Sequence, residues 1–167
     1  MSSGIVAAAT GYAAMFVTHT QRLVGLALDR RENQRFEASR KKLPVSTQEQ
    51  AIEEALKKAQ ADLVSRHCEV VNITAHDGES LCGHWQHSKS GKRVILAMHG
   101  WRSSWAHDFA MVADFFDRND CHVLYAEQRG QGKSGGAYMG FGMTERHDCL
   151  DWLNWINQQG YEHLPVY

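Results

Sequence analysis

The chain has 167 residues, of which 43% are hydrophobic and 22% are charged, and its formal net charge is −1. This length accommodates one domain of ordinary size. Five Trp, six Phe and five Tyr residues supply enough large apolar side chains to exclude a wholly disordered protein. The balanced charge gives the chain no overall basic field, so the composition argues against a nucleic-acid partner.

The N-terminal segment, residues 1–30, begins with an apolar, alanine-rich run at residues 5–17. A membrane span needs about 20 apolar residues, whereas a helical run of this length reaches only about 20 Å. Seven basic and three acidic residues follow between positions 22 and 42. An apolar run before a basic flank is typical of an anchor that keeps the rest of the chain in the cytoplasm. The sequence therefore leaves two alternatives, a weak membrane anchor and a helix that packs on its own domain or lies at a surface.

Residues 31–66 combine a charged linker with one amphipathic helix. Ser46 and Glu49 have the spacing of a capping box, in which each side chain accepts a hydrogen bond from the other residue's backbone N–H. Apolar residues then recur at helical spacing up to Leu63 and predict a helix that ends near Arg66.

From residue 67 onward, the periodicity changes to that of strands. An Asp77-Gly78 turn signal separates two strand-like segments, residues 68–75 and 81–87, and together they predict a hairpin. Continuous apolar runs at residues 94–98 and 122–126 predict strands that are buried on both faces.

The remaining elements complete an α/β pattern with a mainly parallel sheet. One helix is predicted at residues 105–116, and another begins near Thr144 and stops at Gly160. Residues 165–167 resemble the start of a further strand. We therefore treat residues 67–167 as one α/β domain.

The four cysteines occur without Cys-x-x-Cys spacing, in a sequence with no recognisable signal peptide. This usage predicts reduced, mostly buried thiols in a reducing compartment, and hence a cytoplasmic location. Their positions are Cys68, Cys82, Cys121 and Cys149.

Histidines are frequent, but their spacing argues against a metal site. His84 and His87 are three positions apart on a predicted strand, which puts their side chains on opposite faces. Cys82 and His84 share a face, but two ligands fall short of a structural zinc site. The sequence therefore predicts no bound metal.

A glycine-containing turn follows the first buried strand, in the segment Met98-His99-Gly100-Trp101-Arg102-Ser103-Ser104. Gly100 permits a sharp turn at the carboxyl end of the strand, where open α/β sheets bind ligands. The alternative is an ordinary strand-to-helix connection in which Ser103 or Ser104 caps the helix.

The segment after the second buried strand, residues 127–136, imitates two catalytic motifs. It ends like a phosphate-binding loop, but Glu127 stands where that motif needs a glycine. Ser134 lies in a Gly-x-Ser-x-Gly sequence, yet a nucleophile elbow needs a helix directly after the serine, and the next predicted helix begins near Thr144. We therefore predict a structural loop, with Arg129 pinning its backbone.

Four segments occur in a specific order, namely DGESLCGHW, VILAMHGW, AEQRGQGKSGG and GFGMTERHDCLDWLNWI. Together they resemble the N-terminal half of an α/β-hydrolase, most closely the branch grouped with serine aminopeptidase-like hydrolases. The resemblance covers residues 67–167. It implies an incomplete α/β-hydrolase sheet, in which an N-terminal β-hairpin precedes a strand-helix-strand-helix unit. A helical N-terminal segment precedes the sheet.

The resemblance also implies roles for individual residues. The backbone N–H of Trp101 takes the position of an oxyanion-hole donor, and His99 and Gly100 shape its turn. The family's Asp-x-Arg-Gly-x-Gly-x-Ser loop is matched with Glu127 in place of Asp. The structural residues of this loop are then Glu127, Arg129, Gly130, Gly132 and Ser134.

The family's nucleophile elbow follows the strand that would begin at Pro165, and its acid and histidine come later still. We therefore expect no catalytic residue and no cofactor in this chain. The parent enzyme would hydrolyse a small ester, amide or peptide substrate through a serine nucleophile. The chain would be the inactive N-terminal part of that hydrolase. The alternatives are a non-catalytic binding or membrane-associated module, and half of a split enzyme completed by a separate C-terminal half.

Overall fold

The computed structural model describes residues 2–31 and 46–167, with side chains described from residue 14 onward. The chain divides into two compact units, Met1–Lys41 and Lys42–Tyr167. The charged linker predicted before Ser46 lies almost entirely outside the described residues.

Helix α1 (Ser2–Leu28) occupies most of the described part of the first unit. Several of its described apolar side chains are exposed, including Phe16 at 72% and Leu23 at 66%. Within residues 2–31 and 46–167, no helix combines the length and the apolar character that crossing a membrane requires.

Helix α2 (Thr47–Ser65) begins at the predicted capping box. The Glu49 N–H donates to Ser46 Oγ at 3.2 Å, and the Ser46 N–H donates to Glu49 Oε2 at 2.8 Å. Leu63 near the end of the helix is fully buried. The predicted helix and its end near Arg66 are confirmed.

Four strands form one sheet in the order β1-β2-β4-β3. They are β1 (Glu69–Thr74), β2 (Ser80–Gln86), β3 (Arg93–Met98) and β4 (Cys121–Ala126). Strands β3 and β4 are parallel, whereas β2 pairs with both β1 and β4 in an antiparallel direction. The prediction of a mainly parallel sheet is therefore wrong for the described strands, because the hairpin adds to β4 antiparallel.

The last residues of the chain pair with the outer edge of β3. Val94 forms a parallel bridge with Val166. The Leu96 N–H also donates to the Tyr167 carbonyl at 2.9 Å. Residues 165–167 therefore pair with the sheet where the start of a strand was predicted, but within the described residues they form an isolated bridge and not a fifth strand.

The helices after β3 differ from the prediction in one place. Residues 105–116 do not form one helix but two short ones, α3 (Trp105–Phe109) and α4 (Ala113–Arg118). The break allows the second helix to begin with Ala113, which is fully buried. Helix α5 (Glu145–Ile156) begins after Thr144, as predicted, and a π-helical turn follows at Asn157–Tyr161.

The sheet is covered on both faces, because successive strand residues point to opposite sides. Leu124 and Ala126 of β4 pack in the core that contains Trp152 and Ile156 of α5. Val123 and Tyr125 of β4 pack in the other core, which contains Leu63 of α2 and side chains of α3 and α4. Strand β4 is therefore buried along its whole length, so a functional site beside it lies at the end of the strand.

Candidate active site

The candidate active site lies where the parallel strands β3 and β4 end. Two segments meet there, residues 99–104 after β3 (the β3 turn) and residues 127–136 after β4 (the β4 loop). Gln128 connects them, because its backbone N–H and its side-chain amide both donate to His99, at 3.1 and 2.5 Å. The sequence singled out both segments, and the fold brings them together at the edge of the sheet where ligands are expected.

His99 is buried, with 2% of its surface exposed. Its Nε2 accepts the backbone N–H of Gln128, so this nitrogen carries no proton. The proton is therefore on Nδ1, which donates to the Gly100 carbonyl at 2.9 Å. Burial lowers the pKa of His99, although the Gly100 carbonyl and nearby carboxylates oppose that effect. His99 is thus a neutral positioning group.

The bond from His99 determines which way the Gly100–Trp101 peptide faces. The chain has no cis peptide bond among its described residues, and in a trans peptide the C=O and the following N–H point in opposite directions. Because the Gly100 carbonyl is directed toward His99, the Trp101 N–H is directed away from it. This N–H is the oxyanion donor that the sequence resemblance implies.

Asp108 of α3 ties the two ends of the β3 turn together. Its Oδ2 accepts the Gly100 N–H at 2.7 Å, and its Oδ1 accepts the Ser103 hydroxyl. Although partial burial raises the pKa of Asp108, the bonds from Ser103 and Gly100 outweigh it and hold that pKa below its usual value. The turn also places Arg102 at φ 53°, a left-handed conformation that non-glycine residues adopt only when neighbouring contacts hold it.

An apolar cavity of about 360 Å³ lies beside the β3 turn. Its apolar walls come from β3, the β3 turn, the segment before α5, and α5 itself. The rings of Trp101 and Phe141 lie 5.9 Å apart at its edge. The residues that supply these walls are Met98, Trp101, Met139, Phe141 and Cys149. A cavity of this size and lining accommodates a small apolar group.

Ser134 is fully buried and joins β2 to the β4 loop. Its Oγ accepts the Cys82 N–H at 2.9 Å and donates to the Glu127 carbonyl at 2.6 Å. No helix follows it directly, because α5 begins only at Glu145. This geometry supports the structural role that the sequence predicted for Ser134.

Glu127 and Gly132 close the β4 loop by a tight approach. Glu127 accepts hydrogen bonds from His84 Nε2 at 2.6 Å and from the Lys133 N–H. Gly132 has φ 51°, and a Cβ at this position would lie 1.8 Å from Glu127 Oε2. Although burial raises the pKa of Glu127, the bond from His84 contributes to a net lowering. The left-handed backbone and the short distance to Glu127 each require glycine at position 132.

Arg129 links the β4 loop to the hairpin and to α5. Its Nε donates to Asp148 Oδ2 at 2.7 Å, and its Nη1 donates to Asp77 Oδ2 at 2.8 Å. The bond from Arg129 lowers the pKa of Asp77 to about 2. The prediction that Arg129 pins the loop backbone was wrong in this detail, because its guanidinium bonds two carboxylates.

One group of side chains near the site has the composition of a Ser–His–acid relay. His107 Nδ1 lies 3.2 Å from Ser103 Oγ and 3.0 Å from Asp108 Oδ1. In a catalytic triad, the acid and the nucleophile contact different nitrogens of the histidine. Here both face the same nitrogen, and Ser103 donates directly to Asp108. Ser103 is therefore not activated as a nucleophile in this arrangement.

Sequence reasoning missed one buried cluster close to the β4 loop. It placed Cys82 and His84 on one face of a strand and found no third ligand. The structure adds Glu127, and the donor atoms of the three side chains lie within 4.8 Å of one another. The alignment of β2 with β4 supplies the third residue, and this register could not be read from spacing along one strand.

No protein-family model and no curated protein matches the chain. Similar solved structures include an esterase from Pyrococcus furiosus in different crystal forms. Two of these have identities of 28% and 27% and TM-scores of 0.51 and 0.53. Each match covers 58% of this chain, and 37% or 39% of the esterase chain. An α/β-hydrolase from Vibrio vulnificus is similar at 18% identity, with a TM-score of 0.47, over 70% of this chain and 38% of that chain.

The chain therefore has part of an α/β-hydrolase fold, as the order of its motifs predicted. It spans less than two fifths of the length of the esterase that it matches. The hairpin corresponds to β1 and β2, and the strand-helix-strand-helix unit corresponds to β3, β4 and the helices that follow them. Its placement in the serine aminopeptidase-like branch stays a prediction.

Proposed function

We propose that residues 67–167 form the oxyanion-stabilising part of an α/β-hydrolase that cleaves small ester substrates. The observation that carries the proposal is the orientation of the Gly100–Trp101 peptide. His99 holds the carbonyl of this peptide, so the Trp101 N–H is directed to the opposite side. The similarity to a solved esterase at 28% identity favours an ester over an amide or peptide, which remains the alternative substrate class.

In this proposal the described residues stabilise charge and position the substrate, and they do not attack it. Attack on an ester carbonyl develops a negative charge on oxygen, and each oxyanion-hole donor is worth about 10²–10³-fold in kcat. The Trp101 N–H supplies one donor, and the second in this family is the N–H that follows the nucleophile. The apolar cavity beside Trp101 receives the acyl or alkyl part of the substrate. None of the described residues is proposed as the nucleophile, since Ser134 is fully buried in the β4 loop.

A chimera tests the proposal directly. Residues 67–167 of this chain would replace the matched segment of the Pyrococcus furiosus esterase, and ester turnover would be measured. Trp101→Pro removes the N–H, whereas Trp101→Phe keeps it and preserves an aromatic ring. We expect the Pro variant to lose about 10²-fold or more in kcat relative to the Phe variant. Equal turnover of the two variants, in chimeras with matching circular dichroism, would disprove the role of Trp101.

We also propose that α1 lies on an anionic lipid surface, which is the surface alternative that the sequence left open. The exposed apolar residues of α1 support this proposal, and so does the excess of seven basic over three acidic residues at positions 22–42. An exposed apolar helix that is followed by a basic segment favours an anionic lipid interface.

Co-sedimentation with lipid vesicles tests the lipid-surface proposal. We expect the full chain to bind vesicles that contain phosphatidylserine, and to bind less after deletion of residues 2–28 or in the double variant Phe16→Ser/Leu23→Ser. The variant Ile52→Ser changes an exposed apolar residue of α2 and serves as the control. Equal binding of all these chains would rule the proposal out.

A further inference from the structure

A second group of reactive side chains lies on the face of the sheet that packs against α3. Cys82, His84 and Glu127 are 1%, 7% and 5% exposed, and their donor atoms lie within 4.8 Å of one another. A thiol, an imidazole and a carboxylate are the three side-chain donors that zinc binds in proteins. The ring of Trp105 stacks on His84, and Trp105 itself packs against the apolar core on this face of the sheet.

Strand pairing brings these three donors together. Cys82 and His84 are two positions apart on β2, so their side chains point to the same face. The register pairs Gly83 with Ala126, which places Glu127 next to Cys82 on the neighbouring strand. The Glu127 N–H donates to the Cys82 carbonyl at 2.9 Å. The donors therefore project from two strands whose backbones are hydrogen-bonded at this point.

Neighbouring groups hold the donors in place. Ser134 Oγ bonds the backbones of both Cys82 and Glu127, at 2.9 and 2.6 Å. The imidazole of His84 stacks on the ring of Trp105 at 4.1 Å. Glu127 Oε2 accepts the Lys133 N–H, which leaves Oε1 directed at His84. Such outer contacts orient the ligands in metal sites and sustain metal affinity.

We propose that Cys82, His84 and Glu127 bind one divalent transition-metal ion per chain, and that Zn²⁺ is the ion this donor set favours. The metal takes the place of the proton held between His84 Nε2 and Glu127 Oε1, now 2.6 Å apart, and that proton transfers through solvent to His84 Nδ1, so that the imidazole binds the metal in its neutral form. The thiol proton of Cys82 leaves to solvent as the metal–sulfur bond forms. Metal–ligand bonds of about 2.0–2.3 Å require the His84 and Glu127 donor atoms to separate slightly. Three protein ligands leave a fourth position for water or a small anion.

The alternative for these residues is a buried His–Glu pair with an inert thiol beside it. Metal titration of the full chain distinguishes the two. We would measure Zn²⁺ affinity by competition with a chromophoric chelator, and Co²⁺ binding by absorption. The proposal expects one ion per chain, with a thiolate-to-Co²⁺ charge-transfer band. It also expects Zn²⁺ to raise the thermal midpoint, and a chelator to reverse that increase.

Matched variants assign the site. Cys82→Ser and Glu127→Gln should each weaken Zn²⁺ binding at least about 10-fold, and Cys82→Ser should abolish the charge-transfer band. Cys121→Ser removes another buried thiol on the same face, and His76→Ala disrupts the separate cluster with Asp148 and Asp151. Both should leave the affinity for Zn²⁺ unchanged.

If Cys82→Ser fails to fold, the Zn²⁺ affinity of Glu127→Gln and the charge-transfer band of the unmodified chain still decide the question. Absence of stoichiometric binding, or loss of binding only in His76→Ala, would overturn the proposal. The test is independent of hydrolase activity.

Discussion

The backbone N–H of Gln128 donates to Nε2 of His99 across 3.1 Å, and this bond fixes the proton of a buried imidazole on Nδ1. The same proton then holds the Gly100 carbonyl. A protonated His99 could not accept the Gln128 N–H, so this bond between the β3 turn and the β4 loop exists only while the imidazole is neutral. The conformation of the β3 turn is therefore linked to pH.

The first prediction is that acidification lowers the free energy of unfolding in the range where histidine titrates. Burial lowers the pKa of His99 in the folded chain, whereas a histidine in the unfolded chain has a pKa of about 6.5. Below that pH the unfolded state binds more protons than the folded state. The stabilisation is thus fully present above about pH 6.5 and is lost as pH falls toward the folded-state pKa. Urea unfolding at a series of pH values measures this slope.

The variant His99→Gln separates this histidine from the others, because the glutamine amide can donate and accept without titrating. We expect a smaller loss of stability on acidification than in the unmodified chain. Burial also lowers the pKa of His122. His122→Gln should therefore also reduce the loss of stability on acidification, independently of His99→Gln. An unchanged slope in His99→Gln would contradict the assignment.

The second prediction concerns the buried charge of Asp148, which is 2% exposed. Arg129→Met leaves this carboxylate without its guanidinium partner and should destabilise the fold by about 3–5 kcal/mol. Asp148→Asn in the same chain should recover part of the loss. Arg66→Met is the matched control, because Arg66 pairs with carboxylates that are largely exposed, and exposed pairs contribute only about 0–1 kcal/mol. Urea unfolding measures both losses. Equal losses in the two Met variants would show that burial of the carboxylate does not determine the cost of removing its arginine partner.

The third prediction compares two glycines that both adopt a left-handed backbone. Gly132→Ala introduces a Cβ 1.8 Å from Glu127 Oε2, whereas Gly142→Ala meets no atom within 4 Å. Backbone strain alone costs about 1–2 kcal/mol, and that is the expected effect at position 142. The variant at position 132 must also displace the Glu127 carboxylate, so its unfolding free energy should fall further. Similar values for the two variants would mean that the Glu127 contact is not tight.

Much of the fold could be predicted from local patterns, because strand burial and helix capping depend on neighbouring residues. The capping box at Ser46 and the fully buried strand β4 are examples. The antiparallel addition of the hairpin to β4 could not be predicted, since strand order depends on contacts distant in sequence. For the same reason the spacing of Cys82 and His84 did not reveal Glu127, which reaches them through the register of another strand.

The last prediction is that the purified chain reacts with no serine-directed fluorophosphonate and hydrolyses no ester above a buffer control. Ser134, the serine in the Gly-x-Ser-x-Gly sequence, is fully buried, and its hydroxyl proton is donated to the Glu127 carbonyl rather than to a base. An activated serine needs a general base within hydrogen-bond reach. Ser134→Ala is the control, and it should lower the unfolding free energy by about 1–3 kcal/mol, because the Cys82 N–H loses its acceptor. Labelling that disappears in Ser134→Ala would make Ser134 a nucleophile and reverse its structural assignment. Labelling that arises only when a C-terminal hydrolase half is co-expressed, and that persists in Ser134→Ala, would support complementation.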